Sequence, residues 1–172
     1  MALGVGVTAL SAQFTLPMPF TPVPFTFGPM AVLLVGATLG SRLGALSQVL
    51  YVAAGALGLS MFAPSATLPN GFLRLVGPTG GYLLAYPLAA FVTGLLAERG
   101  WDRRYVTSVL AMLAGLAVIY AGGVSWLAVA YTHSLPAAVS AGVTAFIVAD
   151  VAKVIVAALA LPAAWHFAGR LR

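Results

Sequence analysis

The sequence predicts an all-α integral membrane protein: one transmembrane domain, residues 1–172, built as a bundle of about six helices with both termini cytoplasmic. Three observations predict it. Of the 172 residues, 62% are hydrophobic and only 6% charged, at a mean hydropathy of +1.05, whereas a soluble domain carries about 25% charge. Apolar stretches recur between turns rich in Pro, Gly or Arg, and a crossing takes roughly 20 apolar residues, so this length holds about six short-looped helices. The basic residues also sort by side, as the positive-inside rule requires.

The first span is predicted over about Ala2–Thr15. No Lys or Arg precedes it, and Leu10-Ser11-Ala12 is a poor cleavage site, so it reads as a retained helix rather than a signal peptide. Alternate prolines from Pro17 to Thr26 forbid a helix and favour an extended, polyproline-like segment. The second span covers about Phe27–Leu39, with Pro29 in its tolerated first turn, and Gly40–Gly44 reads as a tight turn carrying Arg42. The third span, about Ala45–Leu59, leads into a long loop over Ser60–Thr79, and ordered loops of that length are often functional. The fourth span runs Gly80–Leu96 and closes in Glu98–Arg104; the fifth covers about Val106–Tyr131. Thr132–Pro136 turns the chain into a sixth span predicted as one helix over Ala137–Phe167.

With both termini cytoplasmic, Arg42, Arg99, Arg103, Arg104, Arg170 and Arg172 lie inside, six of the eight Lys and Arg residues, and Arg74 alone lies outside. The net charge of +5 therefore marks a membrane edge and not a nucleic-acid surface. No cysteine is present for a disulfide or thiolate site, His133 falls in a loop and His166 near the far end of the last span, so they give no metal pair, and no Walker motif is present. Small residues such as Gly36, Gly40, Ala111, Gly115, Gly122 and Gly123 suit close helix packing in lipid. In the first span Ala2 and Gly6, or Thr8 and Ala12, could instead offer a smooth face to another membrane protein.

Two ionised side chains remain within a span, Asp150 and Lys153. Each costs roughly 2.5–3.5 kcal/mol at a helix centre on insertion scales. Spaced i, i+3, they share a helix face and can pair. A structural ion pair pinning helix rotation is one reading. An apolar pair would serve that purpose at lower cost, so a site for a small polar solute with donors and acceptors, or a proton relay, competes with it. The second candidate is Gly77-Pro78-Thr79-Gly80-Gly81-Tyr82, where glycines and a helix N-terminus would let backbone N–H groups approach an anion; a plain helix-entry turn is the alternative. Tyr82, Trp126 and Phe146 could line a pocket, with Phe62 and Phe72 as a lid, though single aromatics in such helices also serve packing.

In order along the chain, the Pro17–Thr26 segment, Leu39-Gly40-Ser41-Arg42-Leu43-Gly44, Tyr51 with Gly55-Ala56-Leu57-Gly58-Leu59, Gly77–Tyr82 and Asp150-Val151-Ala152-Lys153 resemble BioY, the biotin-binding S components of energy-coupling-factor vitamin transporters. The likeness covers nearly the whole chain. It implies a six-helix S-component fold that binds biotin from outside without changing it covalently, in a prokaryotic plasma membrane. It also implies partners: a transmembrane coupling protein and two cytoplasmic ATPases. Carried over by position, Gly77, Thr79, Gly80, Gly81, Tyr82, Asp150 and Lys153 are the implied ligand site, and chemistry adds Asn70 and Arg74. The family carries an alanine-xxx-alanine face for the coupling protein, matched here by Ala2-xxx-Gly6. Gly28 stands where a glutamine is frequent and Ala145 where a proline is. No cofactor is implied, and a homo-oligomer is left open. The rival readings are an S component for another vitamin such as thiamine, a proton-coupled carrier using Asp150, and a membrane scaffold.

Overall fold

A computed structural model describes residues 1–16, 21–65, 68–144 and 146–170, with side chains described through Pro162. The expected extended stretch at Pro17–Phe20, the turn at Ala145, the His166 side chain and Arg172 lie outside the described residues. Helix α1 (Ala2–Gln13) is followed by β1 (Thr15–Leu16) and β2 (Phe25–Thr26), a small antiparallel pair with Thr15 opposite Thr26. Then come α2 (Gly28–Leu39), α3 (Ser41–Ala56), the short α4 (Leu73–Val76) and α5 (Gly80–Glu98). A 3₁₀ turn at Trp101–Arg103 leads to α6 (Tyr105–Leu127), which widens into a π turn before α7 (Leu135–Val139); α8 (Ile147–Arg170) ends the described chain.

The core lies where α2, α3, α5, α6 and α8 meet, around the buried side chains of Leu33, Tyr51, Phe62, Met112, Ile119 and Val154. Without a hydrophobic force between helices in lipid, close approach and dispersion hold them. Glycines permit the approach. A Cβ at Gly36 would overlap the Ala90 carbonyl oxygen of α5, and one at Gly122 would come within 2.7 Å of Ala85.

Three expectations change. The turn predicted at Gly40–Gly44 contracts to one residue: Gly40 turns at φ +82 and α3 begins at Ser41. The cause is Glu98, whose Oε1 accepts the Ser41 N–H at 2.7 Å and whose two oxygens accept the Ser41 hydroxyl at 3.0 Å. A carboxylate at a helix N-terminus meets orphan N–H groups and the positive end of the dipole, so the helix can start at once. The long loop predicted over Ser60–Thr79 contains the short helix α4.

The third change bears on the site. The sixth span is not one helix: α7 and a π turn at Ser140–Thr144 meet α8 at a bend of 45°. Helices bend sharply at π turns because backbone carbonyls lose their usual partners. Here the Ala141 carbonyl accepts the Thr21 hydroxyl at 2.7 Å and the Gly142 carbonyl accepts the Tyr82 hydroxyl at 3.0 Å. Irregular backbone is tolerated at membrane depth when protein satisfies it in this way.

Among the described residues, α5 and α6 with its π turn are long and apolar enough to cross a membrane, and the α7–α8 pair is a third span if counted as one. Helices α1 and α2, 12 residues each, are apolar but shorter. Both ends of the bundle are readable from contacts. Gly4 sits beside Leu39 and Ser47, near the Ser41–Glu98 cap, and the Ser108 hydroxyl donates to the Ala158 carbonyl. The start of α1, the late turns of α8 and the arginines Arg42, Arg99, Arg103 and Arg104 therefore share one end, opposite α4.

Two glycines separate close packing from open surface. Gly36→Ala should destabilise the detergent-solubilised protein by about 1–3 kcal/mol, the usual cost of overpacking. Gly6, where a side-chain Cβ would meet nothing within 4 Å, should tolerate alanine with no loss of stability. Thermal unfolding of both variants measures the contrast.

Candidate ligand site

Asp150 falls in the first turn of α8, immediately after the break, and Lys153 follows one turn later. Lys153 Nζ lies 2.5 Å from Asp150 Oδ1 and donates at 2.7 Å to the Thr26 carbonyl of β2. The other carboxylate oxygen, Oδ2, accepts the Tyr120 hydroxyl of α6 at 2.6 Å. Both charged side chains are only about a tenth exposed, 10% for Lys153 and 9% for Asp150. The ammonium also stands 3.9 Å from the centre of the Phe25 ring and 5.3 Å from that of Phe27, adding cation–π attraction. Asp150 is therefore compensated by a cation, a phenol and the positive end of a helix.

Two adjoining recesses lie near this group: Asp150 and Tyr120 border the inner one, and Lys153 borders neither. The outer one, about 60 Å³, is lined by Tyr51, Phe62, Arg74, Thr79 and Tyr86, and the inner one, about 40 Å³, by Ile119, Tyr120, Phe146 and Asp150. Val23, Pro24, Thr26, Pro29 and Tyr82 border both. Of these, Tyr82 is tied by its hydroxyl to Gly142. In the outer recess Tyr51 stacks on Tyr86 at 6.2 Å and meets Phe62 edge-on at 5.6 Å. Arg74 is 4% exposed; its Nη2 donates to the Ala63 carbonyl while its Nε has no protein partner. Burial pushes the Arg74 guanidinium below its ordinary pKa, and the neighbouring Tyr51 pulls the other way.

The structure brings Asp150, Lys153, Tyr82, Thr79 and Arg74 to this region, and separates the others from it. Gly80 donates its N–H to the Gly77 carbonyl at 3.0 Å, and that carbonyl also accepts the Trp126 indole N–H at 2.9 Å. Side chains at Gly80 and Gly81 would overlap the Leu75 carbonyl and Trp126 respectively. Gly77, Gly80 and Gly81 thus serve helix entry and close packing, and border neither recess. Asn70 donates to the Ser60 hydroxyl at 3.0 Å, holding loop to loop. Phe62 covers the outer recess, but Phe72 is 65% exposed and stands apart. On α1, Gly4, Thr8 and Ala12 face inward, where Thr8 accepts an N–H from Gln48 at 3.1 Å. The Thr8–Ala12 face is therefore used internally, leaving Ala2 exposed and Gly6 half-exposed on the other side.

Sequence reasoning missed Tyr120, the Thr26 carbonyl and Tyr86. Thr26 ends the proline-rich segment, but nothing local marks its carbonyl, and Tyr120 and Tyr86 stand in no motif; each meets the site only through the fold.

A family description, the BioY family, matches residues 1–170. The chain belongs to the BioY family. A relative called biotin transporter BioY, from Thermotoga maritima, is 42% identical over 142 residues, covering 83% of this chain and 80% of that one. A probable biotin transporter BioY from Pyrococcus horikoshii is 40% identical over 155 residues, covering 89% and 86%. Among solved structures, the S-component for biotin from an ECF-type ABC transporter superposes with a TM-score of 0.84 at 21% identity, covering 96% of this chain and 88% of that one. The helical bundle is accordingly an S-component fold. The relatives are transporters by name, and the chain is read as a transport component and not an enzyme.

Removing the phenol alone tests the site's electrostatics. Tyr120→Phe leaves Asp150 Oδ2 without its donor, and hydrogen bonds to charged groups contribute about 1.5–3 kcal/mol. The variant should unfold measurably earlier in detergent, with its helix content intact by circular dichroism.

Proposed function

We propose that this chain captures biotin from the outer side of a prokaryotic plasma membrane, as the substrate-binding subunit of an energy-coupling-factor importer. The observation that carries the reading is the buried Asp150–Lys153–Tyr120 group, with Asp150 and Tyr120 bordering the inner recess, in a chain of the BioY family. Biotin offers two ureido N–H donors, a ureido carbonyl, an apolar bicyclic ring and a carboxylate. Asp150 keeps lone pairs that can accept a ligand N–H, Lys153 keeps one N–H beyond those given to Asp150 and Thr26, and the stacked Tyr51 and Tyr86 suit the apolar ring.

Charge then selects a second group. Asp150 and Lys153 cancel, so a bound carboxylate would leave one uncompensated negative charge in a low-dielectric site. Arg74, buried on the outer recess with Nε unpartnered, is the group placed to meet it. The Gly80 N–H, already bonded to Gly77, is not. Recesses of about 60 and 40 Å³ are smaller than the ~300–1,000 Å³ of occupied ligand pockets, so binding requires Phe62 and the loop that carries it to withdraw.

The same reading orients the chain. The arginine-rich end faces the cytoplasm, both termini lie there, and the single domain crosses six times, with Arg74 on the outer side. Energy comes from outside the chain: a transmembrane coupling protein, met through the Ala2–Gly6 face of α1, and two cytoplasmic ATPases. A proton-relay role for Asp150 is less well supported, because both of its oxygens are engaged.

Equilibrium binding of tritiated biotin to the purified chain, without a proton gradient, tests this. The intact protein should bind, and Lys153→Ala should weaken binding by at least about 30-fold, as breaking a buried charged contact costs 2–5 kcal/mol. No binding by the intact chain would refute the reading. Separately, Arg74→Ala should weaken biotin by about tenfold or more while leaving affinity for biotin methyl ester little changed. Equal losses for acid and ester would remove Arg74 from carboxylate recognition.

A further inference from the structure

The loop over the outer recess is held by its own carbonyl groups. Phe62 and Ala63 line the recess, and the Phe62 ring is 2% exposed, filling the space a side chain at Gly55 would need. Successive carbonyls from Ser60 to Ala63 each meet a donor from another element. Arg74 of α4 takes Ala63, and the Tyr51 hydroxyl of α3 takes Met61 at 3.2 Å.

Gln13, the last residue of α1, meets three of them at once. Its Nε2 lies 3.4 Å from the Ser60 carbonyl oxygen, 3.4 Å from Met61 and 3.3 Å from Phe62, and 3.2 Å from Ala9 within its own helix. A carboxamide has two N–H donors, here shared among four acceptors, so each bond is long and partial. Four carbonyl oxygens around one point favour a group that only donates and repel one that only accepts. Elsewhere α1 is packed through Gly4, Thr8 and Ala12 against α2 and α3. Gln13 thus joins that helix to a loop 47–49 residues away.

We propose that Gln13 is a positioning residue: a releasable latch that holds residues 60–63 closed over the outer recess and so sets how fast bound biotin leaves. This rests on the biotin reading for its ligand, and on the carbonyl geometry for the latch itself. The bonds are long and solvent-accessible, which suits a contact that must open in each cycle. Because the donor sits on α1, any displacement of α1 along its axis would draw the amide out of the cluster.

Gln13→Glu is isosteric and faces the four carbonyls with an acceptor, whereas Gln13→Lys keeps a donor and no acceptor. Dissociation of tritiated biotin from the full chain is measured by chase, and amide hydrogen exchange at residues 60–63 is measured without biotin. Gln13→Glu should speed dissociation about tenfold, equivalent to about 1.4 kcal/mol, and accelerate exchange at residues 60–63 without lowering the unfolding temperature. Gln13→Lys should restore both to within about twofold. Unchanged dissociation and exchange in Gln13→Glu would overturn the latch, as would a lysine variant behaving like the glutamate one. Should the intact chain bind no biotin, the ligand reading fails, and the exchange comparison still decides the latch.

Discussion

Burying one carboxylate in an apolar bundle is the constraint from which the site follows. An ionised Asp150 in low dielectric is tolerable only when its charge and lone pairs are met. Lys153 supplies the charge, Tyr120 the second hydrogen bond, and the first turn of α8 the dipole. Each places a demand on a different element. Lys153 carries donors beyond the one Asp150 uses, and the Thr26 carbonyl takes another, which fixes the β1–β2 pair beside α8. Tyr120 fixes α6. The dipole exists at this depth only because the sixth span is broken, and the break is tolerated only because Thr21 and Tyr82 satisfy the carbonyls it frees.

The two ends of the bundle are built differently, and the difference suits a protein that must open on one side. At the arginine-rich end, turns are short and sealed by a carboxylate: Glu98 caps Ser41 against the back of Gly40. Close glycine contacts between α2, α3 and α5 continue from there. At the opposite end the chain runs through α4 and a long loop, joined to its surroundings by polar contacts from Gln13, Tyr51, Asn70 and Arg74 and by the Phe62 ring packed on Tyr51. Elements with few buried apolar contacts and exposed hydrogen bonds open at the lowest free-energy cost.

Much of this was legible in the sequence because lipid leaves little choice. Composition forces apolar helices, proline and glycine punctuate them, and the arginines sort to one end. The Asp150–Lys153 pair stood out since every other Asp, Glu, Lys and Arg falls in a predicted turn, loop or terminus, and i, i+3 spacing fixes their contact regardless of the rest of the fold. What the pair touches was not legible. Tyr120 lies 30 residues from Asp150 and Thr26 lies 127 from Lys153, and no local periodicity reports such contacts. The bend near Asp150 was hidden as well, because Ala137–Phe167 reads as one continuous span and a π turn has no strong sequence signature. The Gly77–Tyr82 motif misled in part: glycines that look suited to an anion are taken up in packing against Leu75, Trp126 and Gly122. Of that motif, Thr79 and Tyr82 line the recess beside Arg74.

Whether the buried pair serves the ligand or only the fold is decided by one double variant. Replacing a buried ion pair by neutral residues of similar size is often neutral for stability or stabilising by about 1–4 kcal/mol. Asp150→Asn with Lys153→Met, purified beside the intact protein, should therefore unfold at the same temperature or higher, yet lose tritiated-biotin binding. Binding retained at the intact protein's affinity would contradict a role in ligand capture and leave the pair a structural device.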